Sequence, residues 1–169
     1  MLQNGICFRL HDFQQRITHL KETGKIQEAE EQQLEIRRYN RYVIDLFRTH
    51  FNFCPVYFFY SSQTARLQAG EPVLLNENLE PDPSIPLPPV RIIMDYNTRD
   101  IGESAFASER FFVLNSQIEV KGVFFTSDRL KARGDSIATV KGSPLPFRWD
   151  RSELVAADVK RLNDVLLKH

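Results

Sequence analysis

The spacing of apolar residues changes character along the chain, and each change marks an element. From His11 to Thr23 the apolar positions Phe13, Ile17 and Leu20 follow i, i+4, i+7, one face of a helix, and Gly24 supplies a stop. A second helical run from Lys25 to about Thr49 carries Ile26, Ala29, Ile36, Val43, Leu46 and Phe47 on a related stripe. Glu28, Glu30, Glu31, Glu35, Arg37, Arg38 and Arg41 lie largely on its other sides. So short a break makes the two an antiparallel hairpin. Before them, GICFRL reads as a strand. After them, Phe51 to Ser62 (FNFCPVYFFYSS) holds five consecutive apolar or aromatic residues behind Pro55, a pattern that needs cover on both faces and so predicts a central buried strand. Phe58 and Phe59 should then both be buried, one toward each layer.

The second half is strand-like. SSQTARLQAG predicts a short helix, and PVLLN, VRIIMDY, RFFVLN and IEVKGVFFTS read as strands rich in Val, Ile, Phe and Tyr, the last two paired through SQ as a hairpin. NENLEPDPSIPLPPV is too proline-dense for a helix and predicts an extended surface connection. The region from Lys131 to Trp149 is turn-rich, and Trp149 suits either core or an exposed anchor. SELVAADVKRLNDVLLKH closes the chain as a helix capped by Ser152, with Leu154, Val155, Asp158, Val159, Leu162 and Leu166 on one face. The pattern predicts one α/β domain over 1–169, with a strand and helical hairpin in 1–50 and the sheet and last helix in 51–169. Its sheet should be mixed, of about five or six strands.

Composition narrows the function classes. The 169 residues are 42% apolar and 26% charged, ordinary globular values, and the 22 acidic and 22 basic residues cancel. That balance argues against a nucleic-acid footprint. No stretch approaches the ~20 apolar residues of a membrane span. Two cysteines, Cys7 and Cys54, are too few for a disulfide framework; they read as core thiols, with a single bridge as the alternative if their strands are adjacent. The first strand begins after only four residues, an abrupt start that suggests export after removal of a leader; without one the compartment is cytoplasmic.

Candidate chemistry is sparse. Cys54-Pro55 lacks a second cysteine two residues on, where Val56 stands, so Pro55 is read as the first position of a strand. His11, His19, His50 and His169 show no ligand spacing, and Asp95, Asp100, Glu103 and Asp128 fit no ordered cation loop, so no metal is expected, and no cofactor. PLPPVR matches a proline-rich docking pattern but runs straight into a strand, which makes it a rigid loop. Ligands in open sheets gather at strand carboxyl ends. There the chain places Ser61, Ser62, Asn76 and Asp95, with Tyr60, Asn97, Ser127 and Asp128 nearby. Ser61 or Ser62 also suits the cap of the short helix, and no G-x-S-x-G spacing supports a nucleophile.

From Pro55 onward the order strand, helix, strand, extended link, strand, hairpin, helix resembles the thioredoxin-like arrangement, without its paired cysteines or a proline immediately before RFFVLN. The resemblance implies a fold, not redox activity. FNFCPVYFFYS and VLLNENLEPDPSI resemble segments of exported proteins of Bacteroidota, a likeness that implies a bacterial, secreted protein and brings no activity with it. The expected function is a non-catalytic binding or structural role. The alternative is a small-ligand binder or enzyme using Ser61, Ser62, Asn76 and Asp95. The second helix is longer than the strands it covers, so Ile36, Tyr39 and Val43 are expected to meet a second copy or a protein partner.

Overall fold

The computed structural model describes residues 5–89, 91–98, 109–114, 120–124 and 148–167. Its first strand, β1 (Gly5–Leu10), alternates strictly: Ile6, Phe8 and Leu10 face one side, Cys7 and Arg9 the other. β1 lies between β2 (Val56–Tyr60) and β3 (Arg91–Thr98) and is parallel to both, with Phe8 opposite Phe58 and Met94. This open, all-parallel set of three strands is the sheet on which the helices are layered. An antiparallel hairpin, β4 (Glu109–Leu114) and β5 (Val120–Phe124), is hydrogen-bonded along the side of β3 away from β1.

One face of the parallel set carries the main core. The connection from β1 to β2 is the helical hairpin α1 (Gln14–Glu22) and α2 (Ile26–His50), and α2 packs Val43, Ile44, Leu46 and Phe47 against Ile6, Phe8, Leu10, Phe58, Met94 and Tyr96. Phe8, Phe47 and Phe58 form a tilted aromatic triad with centroids 4.7 to 6.1 Å apart, within the favourable range for edge-to-face pairs. The last helix, α4 (Arg148–Leu166), lies beside α2 and adds Val155, Val159 and Leu162. Asn163 Oδ1 accepts the backbone N–H groups of Asn52 and Phe53 at 2.9 and 3.1 Å, which ties α4 to the segment that leads into β2.

Among the described residues the opposite face is covered without a long helix. A 3₁₀ turn (Ser61–Gln63) and short α3 (Thr64–Gln68) bring Leu67 onto Cys7, Phe59 and Ile93, and the following strap adds Val73 and Leu74, with Ile85 and Leu87 at the margin. Phe58 and Phe59 are 6% and 0% exposed and belong to opposite cores, as the unbroken apolar run requires.

Several expectations are corrected. The all-parallel part that the helices layer is three strands, β2-β1-β3, rather than the five or six expected; β4 and β5 only continue it antiparallel beyond β3, and the thioredoxin-like order is lost. The main reason is Pro72–Asn76, whose apolar residues suggest a strand. It is a strap: Leu75 N–H donates to Phe58 O at 2.9 Å and bridges Pro81, and the burial of Val73 and Leu74 comes from plugging the second face. Nor does β2 sit in the centre; it is an edge strand of the parallel set, covered on both faces all the same. Ser152 lies inside α4 rather than at its cap, because no breaker stands between Arg148 and Ser152. The region 131–147 lies outside the described residues, as do Ser127 and Asp128.

The stripe assigned to a partner is largely covered by the fold itself. Val43 is 3% exposed in the main core, and Ile36 packs on the small cluster of Ile17, Leu20 and Ala29 between α1 and α2. Only Tyr39 of the three is exposed. No disulfide joins the two cysteines: Cys7 belongs to one core and Cys54 packs against the other, with the sheet between them. Burial pushes the Cys54 thiol above its ordinary range, despite a backbone hydrogen bond at Ile6 that acts the other way.

Gly5 marks a close approach of β1 to the start of β2. A Cβ there meets Tyr57 Cε2 at 2.7 Å and Pro55 O at 3.0 Å; the ring can shift, the backbone oxygen much less. Gly5→Ala should therefore cost about 1–3 kcal/mol, the usual range for overpacking. Chemical denaturation of the two proteins measures it, and an unchanged midpoint would show that the approach is not tight.

Candidate functional site

Two charged residues break the apolar run at the carboxyl end of β1. Arg9 and His11 both project toward the face of Cys7, and the parallel register sets Arg9 directly beside Asp95 of β3. Asp95 has no solvent exposure. Its Oδ2 accepts Arg9 Nη1 at 3.2 Å, and its Oδ1 pairs with His11 Nε2 at 2.7 Å. An ionised carboxylate only accepts, so Nε2 carries the hydrogen. The Arg9 and His11 side chains remain 19% and 23% exposed, so water reaches both partners but not the carboxylate. A carboxylate buried this deeply is tolerable only with partners of this kind.

The cluster is held from three sides. Arg9 Nε donates to Thr64 Oγ1 at 3.2 Å, and Thr64 Oγ1 donates to Ser61 O at 2.7 Å, which ties β1 to the start of α3. Buried Asn40 of α2 donates from Nδ2 to His11 O at 3.1 Å. Asp12 takes Ser61 Oγ on Oδ1 at 2.8 Å and Ser62 Oγ on Oδ2. The chain then turns at Phe13, whose φ of 47° is left-handed, a conformation that costs a residue with a Cβ on the order of 1–2 kcal/mol. The Phe13 ring is 53% exposed and stands 5.7 Å from the His11 ring. Beside Asp12, Tyr60 donates its hydroxyl to Leu79 O at 3.0 Å. Burial raises the Tyr60 pKa above the ordinary phenol value, Asp12 and Glu80 add to the rise, and Arg37 and Arg41 oppose it.

Three of the four residues read from the sequence as a strand-end set converge here. Ser61 and Ser62 close on Asp12, and Asp95 sits inside the sheet, with the Arg9–Thr64–Ser61 chain linking the two groups. Neither serine makes a side-chain cap bond to the short helix; their hydroxyls go to the carboxylate instead. Asn76 is elsewhere. Its Oδ1 accepts the N–H groups of Asn78 and Glu80 at 2.9 and 3.1 Å, so it organises a tight turn in which Leu79 has a φ of 64°. It was placed with the others because PVLLN reads as a strand, which it is not.

Arg9, His11, Asp12 and Thr64 were not anticipated. The signal for the first was present: an Arg at an inward position of an otherwise apolar strand needs a buried counter-charge. His11 follows by the same alternation, once β1 is known to be central. Two clefts lie away from the cluster, one of about 340 Å³ at the α1–α2 turn and one of about 230 Å³ at the amino end of β2. Among the described residues no group of three His, Cys, Asp or Glu side chains is placed to hold a metal ion, and no helix is long and apolar enough to cross a membrane.

Asp95→Asn removes the anion that Arg9 and His11 share. Because both partners keep some water, the expected loss is about 2–3 kcal/mol, below the 3–5 typical of a fully buried pair broken on one side. Asp12→Asn, which keeps an acceptor for one serine at a partly exposed position, should cost less than about 1 kcal/mol. Urea unfolding distinguishes them; a loss below about 0.5 kcal/mol for Asp95→Asn would mean that the clamp contributes nothing. No family model matches the chain, nor does any curated protein or solved structure, so these roles rest on its own residues.

Proposed function

We propose that this is a non-catalytic binding domain that takes a small polar ligand at the carboxyl ends of its parallel strands, over Arg9, His11, Asp12, Ser61 and Ser62. The observation that carries the reading is the position of the Asp95 clamp. In open sheets of this kind ligands settle where neighbouring strands send their connections in opposite directions. β1 connects toward β2 and β3 toward β4, and Asp95, Arg9 and His11 lie between them. A guanidinium has five N–H donors, and the bonds to Thr64 and Asp95 use two of them, which leaves Arg9 able to meet an acceptor on a ligand.

Catalysis is less well supported than binding. A serine nucleophile needs its hydroxyl on a base of suitable strength. Ser61 and Ser62 give theirs to Asp12, while His11 Nε2 is engaged by Asp95. The same donors and acceptors suit recognition, where the polar groups are held in place before the ligand arrives.

The test is a thermal-shift screen with small carboxylates, sugars, sugar phosphates and nucleosides. A ligand present at 100 times its Kd adds about 2.7 kcal/mol, which for a chain of this size raises Tm by roughly 5–10 °C. Asp12→Asn should keep its own Tm within a few degrees and lose most of that rise. A screen in which no compound moves Tm contradicts the proposal, as does a ligand whose effect survives intact in Asp12→Asn.

A further inference from the structure

We infer that the outer edge of β2 is a docking site for an extended peptide from a partner protein, one that carries an apolar side chain followed by an acidic residue. The argument begins with the direction of the backbone groups. In a parallel ladder a residue bonds to the neighbours of its opposite number, not to that residue itself. Ile6 stands opposite Val56, and Ile6 N–H donates to Pro55 O at 3.0 Å, so the N–H and C=O of Val56 point away from β1, to the outside. Further along the same edge the strap takes over, because Leu75 N–H donates to Phe58 O. At Val56 no backbone hydrogen bond to the strap is made among the described residues, and an open strand edge is a template for another strand.

Beside that open position lies the cleft of about 230 Å³. Its apolar wall is Phe47 and Phe51 from the end of α2, Cys54 and Val56 from the strand, and Leu75 from the strap. A volume below the 300–1,000 Å³ usual for small-molecule sites suits one side chain of a peptide rather than a whole ligand. A free backbone donor and acceptor next to a side-chain slot is the arrangement by which sheets accept an added strand: the main chain gives affinity and the slot gives selectivity. The charge of the occupant follows from Arg48. It lines the cleft, it is exposed, and it makes no ion pair among the described residues, with His50 two residues on. A carboxylate near the apolar side chain is its natural complement.

The experiment titrates the whole chain, ¹⁵N-labelled, with the peptide acetyl-Thr-Val-Phe-Val-Glu-amide and follows hydrogen exchange at single amides. Exchange at Val56 N–H should slow at least ~10-fold at saturation while the inward-facing amides of Tyr57 and Phe59 barely change. Arg48→Glu should weaken the peptide at least ~10-fold, and replacing its Glu by Lys should restore the loss in that variant, since one close charge pair across an interface is worth that much. Unchanged exchange at Val56 with millimolar peptide overturns the inference. So does a free protein in which Val56 is already protected and the mass is that of a dimer, since a second copy would then hold the edge. Equal binding of the Glu and Lys peptides to the wild type overturns the acidic specificity.

Discussion

A parallel strand with a neighbour on each side must be covered above and below, and β1 imposes that condition on the rest of the molecule. Its alternation assigns Ile6, Phe8 and Leu10 to one core and Cys7 to another, so two separate layers have to be built. The chain supplies them unequally. Among the described residues two long helices cover the first face, while the second receives a five-residue helix and a strap. Fully burying one Val, Leu, Ile, Met or Phe side chain contributes roughly 1.5–3 kcal/mol, and both layers contain several, so neither is dispensable.

The polar cluster is a consequence of the same register. Arg9 and Asp95 are side by side only because β1 and β3 are parallel and aligned as they are; a slip of one residue by either strand would turn its charged residue to the opposite face, into the aromatic core and away from its partner. The clamp thus penalises the wrong pairing as well as joining the right one. It also sits where the chain leaves the sheet in two directions, and its surroundings are tied by hydrogen bonds: Asn40 holds His11 O, Thr64 holds Arg9, and Asp12 gathers both serines. A left-handed Phe13 beside it is a local cost that the neighbouring bonds sustain.

How much of this was legible depends on the range of the interaction. The helical hairpin, the two-sided burial of Phe58 and Phe59 and the inward face of α4 follow from local periodicity, and they are found. PVLLN defeats that reasoning because a short apolar run is the same whether it is a strand or a plug; only its neighbours decide, and here they are Phe59, Leu67 and Cys7. Ser61, Ser62 and Asp95 were identified from a rule about strand ends, although that rule also swept in Asn76. Arg9, His11 and Asp12 meet partners 49 to 86 residues away, a pairing that no local pattern contains. Comparing helix length with strand length leaves the stripe of Ile36 and Val43 open, whereas α1 and the sheet cover those two positions in turn.

Recognition as proposed requires a prepared surface at the carboxyl ends of β1, β2 and β3. Amide chemical-shift mapping against a mixture of small polar fragments tests it most directly, because it reports location without requiring the true ligand. The largest changes should fall on residues 9–13 and 61–64. Changes confined to the amino end of β2 or the α1–α2 turn, or none at millimolar fragment, would contradict it.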